Sequence, residues 1–290
     1  MPNTAVDSLL ARAEALLERL ECLLPQAPAL PDWDSAVAFR WRRRNGRAEL
    51  QAVRHPHRVQ LKNLRGVDEQ KKRIDRNTRQ FVAGRSANNV LLTGARGTGK
   101  SSLVKAMLDK YAGRGLRLIE IDKHDLLDLP DIVELIDGRP ERFILFCDDL
   151  SFEAGEPGYQ ALKAALDGSI AAPSDNLLIY ATSNRRHLMP EYMKENLETR
   201  YVDDEVHPGE AVEEKVSLSE RFGLWLSFYP FDQDRYLEIV MRWLPVFGVA
   251  DGDTEEVRRA ALLWALQRGS RSGRSAWQFA RDWAGRQTTE

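Results

Sequence analysis

The eight residues Gly94-Ala95-Arg96-Gly97-Thr98-Gly99-Lys100-Ser101 satisfy the spacing G-x-x-x-x-G-K-[ST], directly after the apolar run Val90-Leu91-Leu92 and before a helical stretch from Ser102 to Tyr111. No other feature constrains the fold as tightly. A Gly-rich turn from a buried strand into a helix aims backbone N–H groups at one point, and the helix N-terminus makes that point favourable for an anion. The glycines allow the backbone to wrap a β-phosphate, Lys100 reaches the β and γ oxygens, and Ser101 is placed to ligate magnesium. The expected ligands are therefore ATP and Mg2+, held by Gly94, Ala95, Arg96, Gly97, Thr98, Gly99, Lys100, Ser101 and Ser102. The bland alternative is an ordinary Gly-rich turn.

A magnesium nucleotide also needs a carboxylate at the end of a neighbouring buried strand. The run Phe143-Ile144-Leu145-Phe146-Cys147 followed by Asp148-Asp149 supplies it. An unpaired carboxylate beside a buried strand is costly, so the pair calls for a cation or an opening to solvent. Asp148 is expected to orient the metal and Asp149 to polarise an attacking water. Asp is one methylene shorter than the Glu common in ATPases, so the water sits closer, Glu153 contributes, or hydrolysis is slow. Cys147 reads as a small buried apolar residue.

Around these motifs, short apolar runs at Asn89 to Thr93, Leu116 to Asp122, Arg142 to Cys147, Leu177 to Ala181 and Leu224 to Tyr229 alternate with helical stretches. The expected fold is α/β, a P-loop NTPase with a five-stranded parallel sheet between helices. After Pro230 only helical signals remain, which predicts a small C-terminal all-helical lid. The apolar positions Leu9, Ala13, Leu16, Leu20 and Leu23 predict an amphipathic N-terminal helix, ended by Pro25, Pro28 and Pro31. The expected divisions are a helical and Arg-rich extension at 1–58, the nucleotide-binding domain at 59–230 and the lid at 231–290.

Apolar residues make up 43% and charged residues 30% of the 290, so the chain is too apolar for a disordered one. The net charge of −2 leaves any basic surface local. One such stretch exists: Arg40 to Arg73 holds twelve basic side chains against Glu49, Asp68 and Glu69. It reads either as partners for acids within the chain or as a contact for nucleic acid or an acidic partner. Cys22 and Cys147 have no metal-ligand spacing, and no apolar run approaches the roughly 20 residues that span a bilayer. The expectation is a soluble, cytoplasmic protein with no membrane partner.

Across residues 59 to 290 the chain resembles the AAA+ ATPases, by motif order. Leu64-Arg65-Gly66-Val67-Asp68 is similar to the segment that packs against adenine, which implies nucleotide contacts at Gly66 and Val67. Asn184, after Leu177-Leu-Ile-Tyr-Ala-Thr-Ser183, falls where that superfamily has its first sensor. Arg221, in Ser217-Leu-Ser-Glu-Arg-Phe-Gly223, matches the arginine finger, and Arg274, in Ser272-Gly-Arg-Ser275, the second sensor. The resemblance thus implies Lys100, Asp149, Asn184, Arg221 and Arg274 as catalytic residues, with Ser101 and Asp148 on the metal. It also implies a homo-oligomer, most often a hexamer, in which Arg221 acts on a neighbour's phosphate. The strings from Asn89 to Lys105, Phe146 to Phe152 and Tyr180 to Leu188 resemble a bacterial family of AAA+ ATP-binding proteins of unknown function. The Asp-Asp pair is also similar to that of replication initiators and helicase loaders.

The stretch Lys123 to Pro130 lacks the aromatic and glycine of protein-threading pore loops, which disfavours an unfoldase. Lys123 and His124 read as an ordinary loop or as phosphate contacts, and Arg185 and Arg186 as solvated or interface side chains. Met189 to Lys215 carries nine acids against three bases and reads as an exposed insertion. Three functions compete: an assembly-coupled ATPase that remodels or loads a protein or nucleic-acid client, an ATP-dependent binding switch, and a small-molecule kinase.

Overall fold

The computed structural model describes residues 12–14, 31–44, 47–152, 156–167, 175–184, 200–202, 205–207, 218–250 and 252–287. The chain divides into Met1–Asp32 and Trp33–Glu290. In the first unit residues 12–14 are helical; the rest of the expected amphipathic helix lies outside the described residues.

In the second unit the order is β1 (Ala38–Arg44), β2 (Arg47–Ala52), α1 (Asp68–Val82), β3 (Val90–Gly94), α2 (Lys100–Tyr111), β4 (Leu116–Ile121), α3 (Leu129–Ile136), β5 (Arg142–Cys147), α4 (Pro157–Asp167), β6 (Leu177–Ser183), β7 (Arg200–Val202), β8 (Glu205–His207), β9 (Leu224–Phe228), α5 (Gln233–Trp243), α6 (Glu255–Gln267) and α7 (Gly273–Gln287). The main sheet has seven strands in the order β2-β1-β4-β5-β6-β3-β9, and β7 pairs with β8 in a separate antiparallel ribbon. The five apolar runs form five parallel neighbours, β4-β5-β6-β3-β9, whose registers run Val90↔Tyr180, Val90↔Leu224, Leu116↔Arg142 and Phe143↔Leu177.

The expected count of five is corrected by β1 and β2, which extend this edge. β1 runs parallel to β4 through Ala38↔Leu118, and β2 returns antiparallel through Trp41↔Leu50. Both lie N-terminal to the boundary expected at residue 58, in a stretch expected to be helical and Arg-rich. The reason is period-2 alternation: Phe39 and Trp41 are buried while Arg40 stands on the opposite face beside Glu120.

The pleat divides each central strand between two cores. Ile144, Phe146 and Tyr180 join one with Ile74 and Phe81 of α1 and Leu103, Val104 and Met107 of α2; Phe143, Leu145 and Cys147 join the other with Leu126, Ile132 and Leu162. Cys147 is a free buried thiol whose pKa burial pushes up. At the centre Tyr180 is fully buried, its hydroxyl 2.8 Å from Thr78 Oγ1 and accepting from Asn77 Nδ2 at 3.2 Å; burial pushes its pKa up to about 12. These bonds fix the rotation of α1, burying Ile74, Asn77, Thr78 and Phe81 and turning the opposite face outward. After β9 come three helices, with Tyr236 and Val240 of α5, Ala261 of α6 and Ala276 and Phe279 of α7 buried together. No helix among the described residues is long and apolar enough to cross a membrane.

Candidate nucleotide-binding site

The loop between β3 and α2 leaves the sheet against β9. A Cβ on Gly94 would lie 1.8 Å from the Phe228 carbonyl oxygen, so only glycine fits there, and its φ of +129° also excludes other residues. Gly97 (φ +74°) faces the start of α7, where a Cβ would meet Ser272 at 2.8 Å and Arg274 Cβ at 3.3 Å. Gly273 N donates to Gly97 O at 2.9 Å, which ties the C-terminal helices to the loop. Gly66 sits beside Phe231 and Arg235, and Val67 is buried in the core that Phe231 shares.

Lys100 is 6% exposed. Its Nζ donates to Gly94 O (2.6 Å), Ala95 O (2.8 Å) and Asn184 Oδ1 (3.0 Å), while Thr98 Oγ1 also donates to Ala95 O. Burial lowers the pKa of Lys100, Asp148 and Asp149 oppose that shift, and Arg96 and Arg274 reinforce it. An ammonium pushed toward neutrality chiefly by burial is one that gains from an added anion.

Ser101 Oγ donates to Asp148 Oδ1 at 2.6 Å, and Thr182 Oγ1 donates to the same oxygen at 2.5 Å. Thr182 Oγ1 in turn accepts from Asp149 N at 2.9 Å, and Leu150 N donates to Thr182 O at 2.6 Å. Sequence reading missed Thr182. The signal was its register: Cys147 pairs with Ala181, so Asp148 emerges opposite Thr182. Asp149 is the only described non-glycine residue with positive φ, at 56°. That left-handed backbone is strained for a non-glycine residue and is held by the two Thr182 contacts. Asn184 Nδ2 donates to Asp149 Oδ1, and Arg96 Nη2 lies 3.9 Å from Asp149 Oδ2.

The fold therefore gathers Lys100, Ser101, Asp148, Asp149 and Asn184, with Arg96 and Arg274 close enough to act on Lys100. Arg221 pairs with Asp167 at the end of α4. Ser102, half-buried in the first turn of α2, follows Ser101. Glu153, Arg185 and Arg186 lie outside the described residues, as does the acidic insertion apart from β7 and β8. Lys123 begins a short 3-10 helix rather than an open loop, and its Nζ is committed to Ser151 O (3.1 Å) and Glu156 (3.2 Å).

The site fits a magnesium nucleotide by its donor set. Among the described residues no cluster of three His, Cys, Asp or Glu could hold a metal alone. One hydroxyl beside one carboxylate suits Mg2+, which keeps several waters and takes phosphate oxygens as its remaining ligands.

The family model described as a protein of unknown function (DUF815) matches residues 34–287. No curated protein matches the chain. Among solved structures, the Thermotoga maritima RuvB Holliday junction branch migration motor is similar at 18% identity, over 77% of this chain and 63% of its own, with a TM-score of 0.48. The Aeropyrum pernix ORC1 protein in complex with DNA is similar at 14% identity, over 75% and 65%, with a TM-score of 0.44. The chain spans less than two thirds of either. The site described above stands on strand order and side-chain geometry, not on these likenesses. By a match that runs through both sheet edges and all three C-terminal helices, the chain belongs to the family described as a protein of unknown function (DUF815).

Proposed function

We propose that the chain is a Mg2+-dependent ATP-binding and ATP-hydrolysing protein of AAA+ type, coupled to assembly and acting on a protein or nucleic-acid client. One observation carries this reading. Residues separated by 47 and 84 positions meet as Ser101–Asp148 at 2.6 Å and Lys100–Asn184 at 3.0 Å, at the loop that a triphosphate would enter.

Lys100 and the loop amides would bind the β and γ oxygens, exchanging the carbonyls that Lys100 now holds for phosphate. Ser101 and Asp148 would hold Mg2+, which when bound neutralises charge on those oxygens. Asp149 would orient the attacking water, with Asn184 setting the direction of its carboxylate. Arg274, delivered by α7 onto Gly97, would answer charge developing on the γ-phosphate. Gly66 and Val67, with Phe231 beside them, would pack against adenine. Arg221 would serve a neighbouring copy, exchanging Asp167 for that copy's phosphate.

A specific observation favours a second reading, a binding switch with little hydrolysis: both Asp149 oxygens face partners, Asn184 on one side and Arg96 on the other. Phosphate release from ATP without any acceptor separates the two. The hydrolase reading expects Mg2+-dependent release that falls about 100-fold or more in both Asp149→Ala and Arg221→Ala while nucleotide binding persists. No release above background from the unaltered chain leaves the switch. Release undiminished in Asp149→Ala removes that carboxylate from the chemistry.

A further inference from the structure

The basic stretch from Arg40 to Arg73 divides into two populations, the second of which continues past it along α1 and on to Arg85. On β1, Arg40 Nη2 reaches Glu120 at 3.0 Å, and Arg43 holds Asp128 through two bonds, at 3.1 and 2.6 Å. These arginines answer acids of the same unit. Around α1 the allocation is reversed. The only acids between residues 54 and 85 are Asp68, Glu69 and Asp75. Each is taken by a lysine: Lys71, Lys72 and Lys110 respectively. Arg73, Arg76, Arg79 and Arg85 are left exposed and make no ion pair among the described residues, as are Arg54, Arg58, Lys62 and Arg65 before them.

The bonds from Tyr180 to Asn77 and Thr78 lock the rotation of α1, so Arg73, Arg76 and Arg79 recur every three residues on its outer side, about 4.5 Å of helix axis apart. Arg76, Arg79, Gln80, Ala83 and Arg85 line a groove of about 470 Å³ that contains no acid. Among the described residues the exposed large hydrophobics are Leu127, Tyr229, Val246, Leu263 and Leu266, none of them on α1. A protein partner would be expected to find an apolar or aromatic anchor at such a surface. This one offers three guanidinium forks with only Gln80 and Ala83 between them, and such forks match phosphate oxygens and need no particular sequence.

We infer that the outer face of α1, centred on Arg76, Arg79 and Arg85, binds the phosphodiester backbone of nucleic acid. The contact is one of charge and therefore sequence-independent, falling steeply with salt. It names a client class for the proposed ATPase yet does not depend on it, since none of these arginines belongs to the nucleotide site.

Fluorescence anisotropy of labelled mixed-sequence DNA, duplex and single-stranded, tests this between about 50 and 200 mM salt. The unaltered chain is expected to bind at least one form. The triple variant Arg76→Ala/Arg79→Ala/Arg85→Ala should bind at least about tenfold more weakly, with a log–log salt slope shallower by about two to three. Arg79→Gln alone should lose about one unit of slope, and Arg258→Ala, an exposed arginine paired with Asp253, should change little. A variant that retains the affinity and slope of the unaltered chain overturns the inference. So does failure of both DNA forms at low salt, or polyglutamate binding where DNA does not. ATP binding is followed in the same samples: DNA binding without ATP binding would defeat the nucleotide reading alone, and the converse would defeat this one alone.

Discussion

The two regions of this chain proposed to meet phosphate present their cations in opposite ways. At the loop Lys100 is almost fully buried and is answered by two carbonyls and Asn184, and the exposed Asp148 and Asp149 beside it are held by Ser101 and Thr182 and by Asn184. On α1 the arginines are exposed and answered by nothing among the described residues. A buried charge cannot be left uncompensated, so the loop must be built from groups whose places are fixed, and it can discriminate by geometry. Exposed charge costs little to leave open, so the helix face can only measure charge density, and salt competes with it.

Lys100→Ala should break the comparison most sharply. It removes charge-assisted bonds of about 1.5–3 kcal/mol each, so ATP binding should weaken by roughly 100-fold or more while DNA binding stays within about twofold. Parallel titrations with both ligands measure it, and equal losses for both would merge the two regions into one site.

The β1 arginines sharpen the contrast between committed and open charge. Asp128 is 4% exposed and receives bonds from Arg43 and from Trp41 Nε1 at 3.0 Å. Arg43→Ala should therefore cost about 2 kcal/mol in chemical denaturation, because the carboxylate stays buried with one partner fewer. Arg40→Ala, whose pair with Glu120 is more than a third exposed on both sides, should cost at most about 1 kcal/mol. Neither should alter the DNA salt slope as α1 substitutions do.

The smallest effect is a pH dependence. The pKa of Lys100 is held below its ordinary 10.5 chiefly by burial. Triphosphate favours the charged ammonium, so binding takes up a proton wherever the free chain has Lys100 neutral. ATP affinity should thus decline with rising pH in a window that opens below 10.5, by less than about tenfold per unit. Calorimetry across alkaline buffers measures it, and an affinity that rises with pH would reverse the sign.

The loop between β3 and α2 was legible because nucleotide chemistry demands fixed residue types at fixed spacing, and the five parallel strands because most of their residues are buried and read as short apolar runs. β1 and β2 were not, since these outer strands alternate more and less exposed residues and their arginines dominate any compositional reading. Period-2 alternation at Phe39 and Trp41 was the available sign. Thr182 and Phe231 were missed for a different reason: threonine in a strand and phenylalanine before a helix are ordinary, and only the register against Asp148 and the approach to Gly66 give them a place at the site. The basic stretch from Arg40 to Arg73 splits once partners are known, Arg40 and Arg43 inward and Arg54, Arg58 and Arg73 outward, and Arg76, Arg79 and Arg85, beyond its bounds, continue the outward set.

The central claim is that Ser101 and Asp148 hold the metal of a nucleotide bound over Lys100. Calorimetric titration of ATP with and without Mg2+, on the unaltered chain and on Asp148→Asn, tests it most directly. The account predicts that Mg2+ tightens binding by at least about tenfold in the first and leaves the second unchanged. An equal Mg2+ enhancement in both, or no uptake of ATP by the unaltered chain, would contradict it.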